Sequence, residues 1–329
     1  MSDAVPRNFL GLPPEHADPR KAAVAVLPVP YEATTSYGGG TRFGPQAMID
    51  ASRAVELFDH ERGDEPYRVG VATLPEVPLT AAGPEAALRQ LRRAYSRLLD
   101  LRRFVVMLGG EHSISGPAIL EHAARLARKG RRLSVLQLDA HGDLRLRWEG
   151  TPYSHACVMR RVAGRVNLVQ VGIRAVAREE IAAMRRFAVT TVFAHEMAGG
   201  DEWIERAVAA LGRDVYLTVD LDYFDPSLVP STGTPEPGGG GWYATMRLLE
   251  RLFGTRRVVG ADVVELAPIP GLAAPDFLAA KLVYKLIGFH ARGPRPGKAR
   301  SAPARSAVGG GKRAAPRRRG SPRRTGRPA

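Results

Sequence analysis

The chain has 329 residues, 44% of them hydrophobic, enough to bury a sizeable core in one large α/β domain or two small ones. It has no run of about 18 apolar residues that could span a membrane, residues 1–21 lack the apolar centre of a secretory signal, and the single cysteine, Cys157, excludes an intramolecular disulfide and fits a reducing cytoplasm. The formal charge of +15 is uneven: residues 291–329 hold 13 Lys or Arg and no acid, which leaves the first 290 with 35 basic and 33 acidic residues, a net of +2.

In chain order, the body alternates short apolar runs with longer stretches of helical spacing. Buried strands are predicted at 24–29, 104–108, 133–138, 166–171, 191–193, 215–219 and 258–264. Helices are predicted at 45–58, 84–101, 116–128, 179–187, 202–211 and 243–253, with a last apolar helical stretch at 277–289. Such alternation implies βαβ units and a parallel sheet covered on both faces. The domain boundary falls near His290. The tail, residues 291–329, is rich in Gly, Pro, Ala, Ser and Arg, cannot bury a core, and is expected to be disordered.

Polar residues gather where the strands end. Gly109-Gly110-Glu111-His112 closes one run, Asp139-Ala140-His141-Gly142-Asp143 another and Asp220-Leu221-Asp222 a third; Glu265 closes a fourth. In open α/β sheets the ligand site lies beyond the carboxyl ends of the strands, so these segments converge on one edge. Asp139, His141 and Asp143 sit at i, i+2 and i+4, and in an extended chain all three face one cavity; the same spacing relates Asp220 and Asp222.

Two imidazoles and four carboxylates so close together repel as acids unless cations are present. Sulfur-free, carboxylate-rich donors suit Mn²⁺ or Mg²⁺. Two such ions about 3.5–4 Å apart can share one water and lower its pKa, giving a hydroxide nucleophile at neutral pH. Each fragment alone is weak, since a single Asp-x-His or Asp-x-Asp is more often a cap or a turn. The joint pattern at strand ends carries the reading.

Gly109-Gly110-Glu111-His112-Ser113, Asp139-Ala140-His141-Gly142-Asp143 and Asp220-Leu221-Asp222-Tyr223-Phe224-Asp225-Pro226 resemble the three signatures of the arginase/agmatinase (ureohydrolase) family, and Gly233-Thr234-Pro235 resembles its Gly-Thr-Pro segment. Glu111 departs from the pattern, since many members have Asp there. The resemblance runs from about Pro28 to Phe289 and implies a three-layer α/β/α sandwich, two Mn²⁺ ions per subunit and a trimeric or hexameric homo-oligomer. It implies that His112 and Asp143 ligate one ion, His141 and Asp222 the other, and that Asp139 and Asp220 bridge them. Glu265 matches the glutamate that grips the guanidinium, and a planar cation suits a bidentate carboxylate. His155, 12 residues after Asp143, matches the active-site histidine, suited to carrying a proton to the departing amine. The implied reaction is hydrolysis of a guanidinium to an amine and urea, by attack of the bridging hydroxide, with Asp143 helping to stabilise the intermediate.

The stretch Leu144–Gly150 lacks the Asn/Ser-rich character that arginases share and resembles agmatinases, as does Thr234-Pro235-Glu236-Pro237-Gly238. Agmatine, giving putrescine and urea, is therefore the expected substrate, with Thr234 beside it and Glu149 a candidate for its ammonium group. Arg145 and Arg147 argue for a carboxylate instead, as in 4-guanidinobutanoate or arginine, and N1-aminopropylagmatine is a longer alternative. Two rivals come from other classes. The basic tail at 291–329 could neutralise nucleic-acid phosphates, yet it has no aromatic residue and the whole chain holds 42 Arg against 6 Lys, a bias not confined to it. A single-metal deacetylase relative would not need both His112 and Asp143.

Overall fold

Apolar runs without alternation become strands buried on both faces. The computed structural model describes residues 5–293. Its strands are β1 (Val24–Val29), β2 (Val71–Thr73), β3 (Phe104–Gly109), β4 (Leu133–Leu138), β5 (Asn167–Ile173), β6 (Thr190–Phe193), β7 (Asp214–Asp220) and β8 (Arg257–Val264). Among the described residues they form one all-parallel sheet in the order β2-β1-β3-β8-β7-β4-β5-β6. The helices are α1 (Pro14–Ala17), α2 (Gly44–Ser52), α3 (Pro84–Leu99), α4 (Ser115–Ala127), α5 (Val158–Val162), α6 (Arg178–Phe187), α7 (Glu202–Ala209), α8 (Trp242–Thr255) and α9 (Ala274–Arg292).

The pleat sends alternate residues to opposite cores. Val24, Val26, Val106 and Leu108 pack with Met48, Leu249 and Leu286, so α2, α7, α8 and α9 cover one face. Ala25, Leu27, Val105 and Met107 pack with Leu91, Ile119 and Val162, so α3 to α6 cover the other. Each such fully buried aliphatic side chain contributes about 1.5–3 kcal/mol. The three-layer α/β/α sandwich is thus the observed architecture. The buried Lys285 ammonium, 2.8 Å from Asp59 and 2.6 Å from Glu61, ties α9 to the loop before β2. This last helix continues to Arg292, past the expected boundary at His290, and the expected disorder of 291–329 falls, but for its first three residues, outside the described residues. No helix among the described residues is long and apolar enough to cross a membrane.

Two histidines outside the strand-end motifs, His122 buried and His290 half-buried, form no ion pair among the described residues. His122 of α4 faces the Tyr95 hydroxyl at 3.1 Å, and His290 of α9 stacks on Phe104. Burial pushes each imidazole down to about 4. The unfolded chain therefore binds protons below about pH 6.5 that the folded chain refuses until about pH 4, so stability is lost as pH falls through that window. Thermal unfolding of His122→Gln is expected to decline less between pH 6.5 and 4.5 than that of the parent. Identical declines would show that His122 contributes nothing to acid lability.

Candidate metal centre and cleft

The four central strands β3, β8, β7 and β4 are neighbours, and the segments that follow them meet at one edge. Gly110 lets the loop after β3 turn tightly, because a Cβ there would sit 2.0 Å from the Tyr31 carbonyl oxygen. His112 then opens a single 3-10 turn, His112–Ile114. The turn is fastened by Glu111, whose fully buried carboxylate accepts the amides of Ala33 and Thr34 and the hydroxyls of Thr34 and Ser113, each at 2.6 Å. The family departure at Glu111 is therefore an anchor between the loop after β1 and the His112 turn.

His112 Nδ1 has carboxylate oxygens of Asp139 and Asp143 at 3.0 Å and of Asp220 at 3.2 Å. None of them lies along a hydrogen-bond direction from that nitrogen. On the other side of Asp139, His141 Nδ1 is 2.8 Å from Asp222 and 3.6 Å from Asp139. Donor atoms of His112, Asp139 and Asp220 lie within 4.8 Å of one another, and so do those of Asp139, His141 and Asp222. Asp139 belongs to both groups, which suits it to a bridging position.

The convergence is not produced by extended chain. Asp143 reaches the centre from a left-handed conformation, φ 52, and Asp222 sits in the 3-10 turn Leu221–Tyr223. Three of the four carboxylates are aimed by a second contact. Asp139 Oδ1 accepts the His141 amide at 2.6 Å, Asp220 Oδ1 the Asp222 amide at 3.0 Å, and Asp222 Oδ1 the Ala140 amide at 3.0 Å. Arg174, after β5, donates to the carbonyls of Asp222, Phe224 and Glu236 and so clamps the loop after β7.

The electrostatics call for cations. Burial together with the neighbouring Asp139 charge pushes Asp143 up to about 7, and burial with the Asp222 and Asp139 charges pushes Asp220 well above the carboxylate range. Burial works against charge on His112 and His141, yet the surrounding carboxylates raise both. A cluster that holds on to protons in this way is one whose anionic form lacks compensation. Oxygen-rich donors around two imidazole nitrogens, with no sulfur in either group, fit a pair of divalent ions of the Mn²⁺ type.

A narrow cleft over this centre is lined by Ser36, His155, Thr234 and Glu265 as well as the acids. Glu265, also left-handed at φ 65, accepts the His112 amide at 2.5 Å. Burial and the Glu111 and Asp222 charges push its carboxyl well up. The His155 ring has Ser154 Oγ at 3.2 Å and Thr34 Oγ1 at 3.5 Å, and burial lowers its pKa, which keeps the imidazole neutral. The cleft widens outward into about 340 Å³ bordered by Trp148, Arg145 and Glu236. Trp148 Nε1 donates to Ser36 at 2.8 Å, and Arg145 lies over the indole at 4.3 Å, 3.6 Å from Glu179. Thr234 lines both the narrow and the wider part of the cleft. Glu149 lies on the exposed turn between Trp148 and Thr151 and does not border the cleft, and Arg147 is likewise exposed, its guanidinium on the Gly150 carbonyl.

Thr218, Gln137 and Asp262 were not singled out from the sequence. Each is a polar residue between apolar neighbours inside a strand buried on both faces, and that was the available signal, since such groups need partners.

The Arginase family profile matches residues 22–288. The N(1)-aminopropylagmatine ureohydrolase of Synechocystis is 39% identical, over 82% of this chain and 89% of its own length. The agmatinase of Pyrococcus horikoshii is 31% identical, over 84% and 94% respectively. In three dimensions the chain is similar to the agmatine ureohydrolase of Thermoplasma volcanium, with a TM-score of 0.74 and 30% identity over 82% of this chain and 90% of that one.

Proposed function

The chain belongs to the arginase family and is a ureohydrolase, acting on the C–N bonds of guanidino groups, and we propose that its substrate is a guanidine with a cationic aliphatic tail, agmatine or its N1-aminopropyl derivative. The observation that carries this reading is the meeting of two histidines and four aspartates, side chains of the kind that hold divalent ions, four of them lining one cleft with Glu265 and His155. Relatives named for both substrates span most of the chain, those named for aminopropylagmatine at the higher identity. Glu236 supports a cationic tail, because it borders the outer cleft and forms no ion pair among the described residues.

His112, Asp139, Asp143 and Asp220 would hold one Mn²⁺, and Asp139, Asp220, His141 and Asp222 the other. When bound, such a pair lowers the pKa of water and supplies hydroxide at neutral pH. Glu265 has one oxygen on the His112 amide, which leaves the other for a guanidinium N–H. That contact keeps the planar group fixed over the acids and restores the charge that burial disfavours on the carboxylate. His155, neutral and held by Ser154 and Thr34, takes a proton and delivers it to the nitrogen of the breaking C–N bond. The C–N electron pair then passes to that nitrogen, the tail leaves as a primary amine that solvent protonates, and urea remains.

Urea release from Mn²⁺-loaded protein should be compared for agmatine, N1-aminopropylagmatine, 4-guanidinobutanoate and arginine. The two amine-tailed guanidines are expected to be turned over best. Glu236→Gln is expected to raise their KM by roughly fivefold at near-constant kcat, the scale of an exposed ion pair of about 1 kcal/mol. Arg145 at the cleft wall favours a second reading, a carboxylate-tailed guanidine. Preference for 4-guanidinobutanoate or arginine would establish that reading and overturn the first.

A further inference from the structure

We propose that Thr218, held by Asp262, sets the tautomer of His112 and so readies its Nδ1 for a metal ion. The inference rests on the reading of His112 as a metal ligand.

Thr218 is in β7 and is fully buried, with Asp262 beside it on β8 and Gln137 on β4 in the paired register. The Thr218 hydroxyl donates to Asp262 Oδ1 at 2.5 Å, a shorter and charged acceptor than Ser115 Oγ at 3.3 Å, and the Tyr216 hydroxyl donates to Asp262 Oδ2 at 2.7 Å. A hydroxyl has one hydrogen. With that hydrogen on Asp262, Thr218 turns only lone pairs toward His112 Nε2, 2.8 Å away. Nε2 must then carry the one ring hydrogen of the neutral imidazole, which leaves Nδ1, the nitrogen that faces Asp139, Asp143 and Asp220, to offer its lone pair to a metal ion.

The same row continues across the sheet. Gln137 pairs in register with Thr218 and with Gln170 of β5. Its amide nitrogen donates to Asp139 Oδ2 at 2.7 Å while its oxygen accepts from Gln170 at 2.6 Å, so the amide cannot turn over. Asp262, Thr218, Gln137 and Gln170 thus make a polar layer beneath the ligands, in strands otherwise apolar at that level. Thr218 touches neither substrate nor the reacting atoms and is a positioning residue.

Calorimetric titration of the metal-free full-length protein with Mn²⁺ tests this without any substrate. Thr218→Val keeps the shape and removes the acceptor; it is expected to weaken one of the binding events by about 10–100-fold. Thr218→Ser, which keeps the hydroxyl, is expected to restore it. Asp262→Asn, which can turn an N–H toward Thr218 and reverse its hydroxyl, is expected to weaken the same event and gives the reading if the valine variant does not fold. Parental affinity in the valine and asparagine variants, or a serine variant as weak as valine, would overturn the inference. A parent protein that takes up no Mn²⁺ would overturn the metal reading beneath it, whatever guanidine is hydrolysed.

Discussion

Asp139→Asn is expected to lower urea release by roughly 10³-fold or more, the scale of several kcal/mol of lost charge stabilisation. Asp139 is fully buried and, among the described residues, is the carboxylate common to the His112 group and the His141 group. Asparagine matches its shape, so the amide of His141 and the side chain of Gln137 keep a neighbour of the same size. What disappears is one negative charge between two places where cations would sit, and one of the two oxygens that could bind them. The metal content of the variant, by elemental analysis after dialysis, should fall below that of the parent, with the unfolding temperature of the two metal-free proteins nearly equal. A variant that retains its metal and loses less than about tenfold in turnover would contradict a bridging role.

Glu265→Gln is expected to cost about 10²–10³ in kcat/KM, with metal content unchanged, because a charge-assisted bidentate contact becomes a neutral one. The alternative is specific. Glu265 also accepts the His112 amide at 2.5 Å, so it could serve only to hold the histidine turn. In that case the variant would lose metal along with activity. Full metal content with raised KM and lowered kcat supports contact with the guanidinium; depleted metal with normal kinetics in excess Mn²⁺ would assign Glu265 to the turn.

The central strands were readable because a parallel strand covered on both faces has no polar side to show, so its apolar run is unbroken. β1 and β4 begin and end where their runs do, while β7 extends by a residue at each end, Asp214 and Asp220, and β8 by Arg257, polar ends that pair in the ladder but carry no apolar signal. β2 and α5 were missed because three and five residues are too short to display a period. The predicted helix at 45–58 stops at Ser52, where the Ser52 hydroxyl bonds back to the Ile49 carbonyl. The ligand segments were readable by resemblance, and their placement at strand ends by the logic of parallel sheets. Their geometry was not. Alternation in an extended chain brings Asp139, His141 and Asp143 to one side on paper, but the structure brings Asp143 in from a left-handed conformation, and Asp222 joins them from a 3-10 turn. The polar layer under the ligands escaped because Thr218, Gln137 and Asp262 lie far apart in sequence, and only the strand order makes them neighbours.

Asp143 and Glu265 both hold backbone conformations in which glycine is the least costly residue, and neither can be glycine and still present a carboxylate. Selection for a more stable chain and selection for a working one therefore pull these two positions in opposite directions. A library of variants sorted only for thermal resistance should enrich glycine, and to a lesser degree asparagine, at residues 143 and 265. The proteins recovered would keep their sheet and both cores and yet have no chemistry left to protect.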